Sequence, residues 1–231
     1  IGLSALAGSL ATFSVNAADM SVSGAASITF DDTNRGKGSK GNSFYMGDSI
    51  KFNASGETDG GLGVAVYYEI DGSTFDDHNL KLTGDFGTLT FDGHGGSSAF
   101  GAIDDKTPNA YEEAWDIIDT DGAGTAGSPT VINGVSANNM FIYTTPDMGG
   151  ASLTASYING GGSDAAPEGS TSFAVKISPE AMEGLTIGAG ISNNTTAESV
   201  DTDETTAYIT YATGGFTVGV QSSDLDITTS G

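Results

Sequence analysis

Seven carboxylates crowd one stretch of this chain: Asp104, Asp105, Glu112, Glu113, Asp116, Asp119 and Asp121, with Lys106 the single Lys or Arg among them. Carboxylates at such density raise the local concentration of cations. Arranged around an aqueous passage, they favour cations over anions. The neighbours Glu112 and Glu113 need not face each other, so a solvated loop of ordinary surface acids accounts for them better than a general acid/base pair. The segment "DTDGAG" at 119–124 opens like a calcium loop but lacks the third acidic ligand and the distal Glu. "NGGGSD" at 159–164 is likewise explained by turn chemistry. The two histidines, His78 and His94, fall outside any metal-ligand spacing, and His78 is expected in an external turn. Trp115 offers a stacking surface for a sugar or an anchor against a wall. Nucleophile elbow, phosphate loop and dinucleotide fingerprint are all absent from the sequence. Nothing here predicts an enzyme, a metal centre or a cofactor.

Bulk properties narrow the field. The 231 residues include 35 Gly and no Cys, and 30 acids against 7 Lys and Arg give a net charge of −23. Missing cysteines exclude a disulfide framework and thiolate metal sites. The acidity argues against nucleic acid, since neutralising phosphates requires Lys and Arg. The opening "IGLSALAGSLATFSVNA" is uncharged, apolar and rich in small residues, and closes on the small-x-small pattern of Val15, Asn16 and Ala17. This predicts residues 1–17 as the remnant of a signal peptide lacking its basic start, with the mature chain beginning at Ala18 or Asp19. A buried helix is the alternative. No later run approaches the roughly 18 apolar residues of a helical span, so the periplasm, secretion and the outer membrane remain open.

From Met20 onward the apolar residues recur with period two, the signature of strands. Ile50 and Phe52 alternate with Lys51 and Asn53; Val64, Val66 and Tyr68 alternate with Ala65, Tyr67 and Glu69. "NNMFIYTT", "GASLTASYIN", "TSFAVKIS", "GLTIGAGIS", "TTAYITYAT" and "GFTVGVQSS" continue the pattern, for about 11 strands in all. Most approach the roughly 9–11 residues of a tilted membrane-crossing strand. "PNAYEEAWDII" at 108–118 allows one or two helical turns at most. The polar faces hold Ser, Thr, Gly and Asn rather than dense charge, and aromatics (Phe30, Phe44, Tyr45, Tyr157, Tyr211, Phe216) sit near strand ends. Both features suit a wall between lipid and water. Short turns at 83–86, 145–150, 179–184 and 212–215 alternate with long polar stretches at 31–44, about 94–138, 159–171 and 193–204. Short turns on one side and long loops on the other describe an outer-membrane barrel. The fold class is therefore all-β, an antiparallel transmembrane β-barrel.

The leader running into "ADMSVSGAASITF", the hairpin "LTGDFGTLTFDGHGG" and the long segment after it resemble the general bacterial (Gram-negative) outer-membrane porin family. In that family a G-x-F-G-T-L-x-x-G pair precedes a third loop that folds into the lumen. The resemblance implies a partial barrel over 18–231, with the third loop at about 95–137. It implies 16 strands when complete, so that the chain would be a fragment at both ends. It also implies a homotrimer latched by a short external loop near 71–77. Two departures stand out: His94 occupies a place where the family more often has a fixed positive charge, and basic residues are few.

The resulting expectation is a water-filled outer-membrane channel for passive diffusion of ions and small hydrophilic solutes. Weak cation selectivity would come from the third-loop residues Asp104, Asp105, Lys106, Glu112, Glu113, Asp116, Asp119 and Asp121. Lys51, Tyr67, Lys81, His94 and Lys176 fall on polar faces and would line the lumen wall. Its partners would be outer-membrane lipid, cations and small solutes. The same loop acids also suit an external, solvated position. The alternative for the whole chain is a secreted or surface β-rich adhesin or carbohydrate-binding protein without a channel.

Overall fold

The computed structural model describes residues 16–31, 43–72, 74–107, 132, 134–160, 169–196 and 200–229. Among them the chain forms β1 (Asn16–Asp31), β2 (Ser43–Glu57), β3 (Gly63–Asp71), β4 (Thr74–Gly84), β5 (Gly87–His94), β6 (Gly96–Ser97) and β7 (Ser136–Ala137). There follow β8 (Met140–Thr144), β9 (Ala151–Asn159), β10 (Gly169–Ile177), β11 (Leu185–Thr196), β12 (Val200–Thr213) and β13 (Phe216–Thr229). Eleven strands make one sheet in the order β1-β2-β3-β4-β5-β8-β9-β10-β11-β12-β13, so chain neighbours are sheet neighbours apart from the β6–β7 pair. No helix among the described residues is long and apolar enough to cross a membrane, a test that does not bear on strands.

The chain divides into two compact units, the first holding residues up to Gly84 together with Thr90–Gly95, the second Asp85–Leu89 and everything from Gly96. In the first unit β1 to β4 form an antiparallel meander, with Val22 opposite Phe52 and Phe52 opposite Tyr68. Its β2–β3 turn is closed by Thr58, whose hydroxyl accepts the Leu62 N–H at 3.1 Å while its carbonyl accepts the Gly61 N–H at 2.9 Å. The structure lengthens β4 beyond the expected strand: it starts at Thr74, so His78 lies inside the strand opposite Tyr68 and not in an external turn. β1 also begins earlier than Met20, at Asn16, which places the expected cleavage point at its first residues. The predicted leader up to residue 15 and the candidate helical turn at 108–118 lie outside the described residues.

The second unit runs β8 to β13 in unbroken antiparallel register. Its burial is inverted relative to a water-soluble sandwich. The large apolar side chains are exposed, Ile191 at 56% and Tyr157 at 51%, while Ser172 and Thr206 on the opposite face are exposed at 0% and 4%. Phe173, Ile187, Ile209, Val218 and Val220 continue the exposed apolar face. In water such a face would be a liability. Against hydrocarbon it is the stable arrangement, because the apolar side chains meet an apolar medium while β9 to β12 have a paired strand on each side. Among the described residues, a buried apolar cluster of Ala99, Ile103, Ala174 and Tyr208 lies on the polar side of the sheet.

Ile209→Arg on the apolar face is expected to cost about 2–4 kcal/mol of folding free energy in lipid, the price of a cation near the bilayer midplane. Thr210→Arg, one residue along and on the other face, is expected to be near neutral. Equilibrium folding into lipid vesicles, read by heat-modifiable migration, distinguishes them.

Candidate functional site

In the second unit the described start of the long segment after β5, residues 96–107, lies on the polar face of β9 to β13. The segment's two ends are stitched together: Gly96 pairs with Ala137, Ser97 with Ser136, and the Ser98 N–H meets the Val135 carbonyl at 2.9 Å. Residues 98–103 then form a compact turn, with the Ala102 N–H on the Ser98 carbonyl at 3.1 Å and the Ile103 N–H on the Phe100 carbonyl at 2.8 Å. A buried turn leaves backbone donors that need partners. The polar face provides them. Ser156 Oγ accepts the Ala99 N–H at 3.0 Å, Ser172 Oγ accepts the Phe100 N–H at 3.2 Å, and the two hydroxyls are 2.6 Å apart.

Small residues make room for this seat. A Cβ on Gly190 would stand 2.5 Å from Ile103 Cδ1, and one on Gly188 would stand 2.1 Å from a ring carbon of Tyr208. Where the loop's ends cross, a Cβ on Gly134 would meet the Gly101 nitrogen at 2.1 Å. The crossing is locked by Asp104, whose carboxylate accepts the Gly134 N–H at 3.0 Å. Gln221 of β13 clamps the far side. Its Nε2 lies 2.6 Å from the Asp104 carbonyl, 3.0 Å from the Ile103 carbonyl and 2.7 Å from Thr206 Oγ1, and its Oε1 accepts the Lys106 N–H at 2.7 Å.

In the first unit the polar face carries an ion pair. Lys51 Nζ stands 3.2 Å from Glu69 Oε1, its directly opposed neighbour on β3, and the Tyr67 hydroxyl donates to the same carboxylate. Glu69 and Asp92 are both buried. Asp92 hydrogen-bonds Asn79 and lies within the field of Lys81. On the other face His78 stacks on Tyr68 at 5.3 Å between centroids.

Both units thus present a polar face and an exposed apolar one, the inverse of a soluble fold. The family model of the Gram-negative porin matches residues 2–231, nearly the entire chain. The chain belongs to the Gram-negative porin family. Solved porin structures agree in fold. A porin refined at 1.8 Å matches with a TM-score of 0.60 at 18% identity, over 90% of this chain and 68% of its own. An anion-selective porin from Comamonas acidovorans gives 0.59 at 17%, over 90% and 69%. A loop-deletion form of OmpT, an outer membrane protein of Vibrio cholerae, gives 0.60 at 14%, over 92% and 71%. No curated protein matches the sequence. The fold is that of the porin β-barrel, the location is the bacterial outer membrane, and the family is one of channels and not of enzymes. The adhesin alternative is overturned by the family match.

The expected site residues of this porin fall into three groups. Lys51 and Tyr67 are brought together, by Glu69, while Lys81 stands near Asp92 and His94 beside Asp77. Lys176 is exposed, at a position of β10 that alternation assigns to the same face as Ser172. Asp104 is taken up in the loop's neck, and Asp105 and Lys106 are exposed just beyond it. Glu112, Glu113, Asp116, Asp119 and Asp121, with Trp115, lie outside the described residues. Sequence reasoning missed Glu69 as the partner of Lys51, and missed the seat itself: Ser156, Ser172, Gly188, Gly190 and Gln221. A signal existed in "TIGAG", because glycines inside a strand mark a close backbone approach.

Loss of the Gln221 clamp is expected to free the loop's stem. Gln221→Leu leaves two carbonyls and one N–H without their partner, at about 1–3 kcal/mol, which corresponds to a rise in local opening of roughly five- to 150-fold. Tryptic cleavage at the Lys106–Thr107 bond of the native porin should accelerate accordingly, with global heat-modifiable migration unchanged.

Proposed function

We propose that this porin is a water-filled diffusion channel for ions and small hydrophilic solutes, with a weak preference for cations. The observation that carries the reading is the third-loop stem seated by backbone hydrogen bonds on the polar face of the second unit. A loop held on that side narrows an aqueous passage instead of standing in external solvent. The remaining loop acids, Glu112, Glu113, Asp116, Asp119 and Asp121, would continue from that stem into the lumen.

The cation preference is supported by charge bookkeeping on the polar faces. Lys51 is offset by Glu69 in an ion pair at 3.2 Å, so one of the three wall lysines is matched before any loop acid is considered, and Asp92 adds a carboxylate within the field of Lys81. Buried Glu204 on β12 adds to the negative side. The chain as a whole carries −23. One structural neighbour is described as anion-selective, which shows that the fold alone leaves the sign of selectivity open. Homotrimer formation and removal of a leader ending at Ala17 belong to the same proposal, on the strength of the family and the small-x-small pattern at 15–17. So does contact of the exposed apolar faces with outer-membrane lipid.

Reversal potentials in a salt gradient across a planar bilayer test the sign. The protein should pass potassium more readily than chloride, and anion preference would overturn the proposal. Glu69→Gln removes one wall charge. At about 7 Å in water a unit charge contributes roughly 0.6 kcal/mol, so the permeability ratio is expected to fall about two- to threefold.

A further inference from the structure

Asp76 and Asp77 are adjacent in β4, where regular alternation would send them to opposite faces. The β3–β4 register breaks at this point. Tyr68 pairs with His78 and Ile70 with Phe75, so Glu69 alone opposes both Asp76 and Asp77. Two residues facing one is a β-bulge, a device that re-aims side chains and is common beside functional sites. Its result here is a three-sided cluster. One carboxylate oxygen from Asp76, one from Asp77 and a ring nitrogen of His94 all lie within 4.8 Å of one another, each residue half-buried.

Three further features point to an occupant. On the part-exposed His94 side chain, the Nδ1 atom itself is shielded and has no hydrogen-bond partner among the described residues, and it stops 3.7 Å from Asp77 Oδ1, beyond hydrogen-bond range. Two ligands at that separation subtend about 120° at an ion about 2.1 Å from each, close to the geometry of a four-coordinate metal. The imidazole is already oriented: it stacks on His78 at 6.3 Å and 14°, and His78 stacks on Tyr68 at 5.3 Å and 5°. Space for the Asp77 carboxylate exists because residue 95 is Gly, at φ +73°, where a Cβ would stand 1.8 Å from Asp77 Oδ1.

We propose that Asp76, Asp77 and His94 form a binding site for a divalent first-row transition ion of the zinc type. It sits at the end of β5, where the chain enters the third loop. Two carboxylates balance the charge of the ion. The imidazole nitrogen selects against calcium and magnesium, which take oxygen ligands. Three protein ligands leave further coordination positions to water. A bound ion would join the bulged start of β4 to the last residue of β5 and so fix the point from which the loop departs.

The test uses protein purified from outer membranes in detergent and stripped with chelator. Titration with zinc chloride in a calorimeter near neutral pH should show one site per chain, tighter than any response to calcium chloride. His94→Asn and Asp77→Asn should each weaken it at least about tenfold, the loss typical when a metal site's supporting residues are changed. Asp203→Asn, on an exposed acid of β12, should leave it unchanged. Equal binding of zinc and calcium, or undiminished zinc affinity in His94→Asn, would overturn the assignment. Should either variant fail to show heat-modifiable migration, cobalt chloride added to the unaltered protein decides the matter. Intense visible absorption from low-coordinate nitrogen and oxygen ligation supports the site, and the weak spectrum of hydrated cobalt sinks it.

Discussion

Backbone hydrogen bonding in a medium without water is the constraint on which this structure rests. An unpaired N–H or C=O in hydrocarbon costs several kcal/mol, so a strand can cross only if both its edges are engaged. The order β1-β2-β3-β4-β5-β8-β9-β10-β11-β12-β13 meets that demand for the strands between β1 and β13, each of which has a neighbour on both sides. Once the ladder fixes the backbone, side chains have only two directions. The chain then sorts them by period two, with Phe173, Ile191 and Ile209 to one side and Ser172, Ser192 and Thr206 to the other.

The same constraint explains how the third loop is held. Its stem at 98–103 is irregular backbone at the depth of the sheet, which is tolerated only where protein satisfies it. Hydroxyls of Ser156 and Ser172 and the amide of Gln221 meet that need directly. The contacts are polar where those beneath a soluble loop are mostly apolar, and the apolar cluster of Ala99, Ile103, Ala174 and Tyr208 is correspondingly small. Gly188 and Gly190 remove side chains from the strand so that Tyr208 and Ile103 can lie flat against it.

Charge follows a second rule, that buried or half-buried charges are paired. Lys51 and Glu69 are directly opposed in register, which makes their pairing a consequence of the sheet and not of loop placement. The register break that follows Tyr68 then has two effects. It sets Glu69 opposite two residues of β4 at once, Asp76 and Asp77, and it brings those two carboxylates together beside His94. One irregularity thus shapes both the charge balance of the wall and the cluster at the loop's point of departure.

Alternation, loop lengths and the "FGTLTFDGHGG" hairpin were enough to establish an all-β chain of about 11 membrane-crossing strands with a long loop after the fifth. These are local properties: period two is written residue by residue, and turn formers act within a few positions. The faces of Lys51, Tyr67 and Lys81 were legible for the same reason. Partnership was not. Which carboxylate meets Lys51 depends on register between strands, which hydroxyl meets the Ala99 N–H depends on residues 57 positions apart, and the meeting of Gln221 with Lys106 spans 115. The position of His78 was misread because a strand start shifted by a bulge leaves no local mark in the sequence. Sequence decides which way each side chain can point, because chirality and pleat are local. Only the folded sheet decides what it meets there, because register is set by the pairing of the whole ladder.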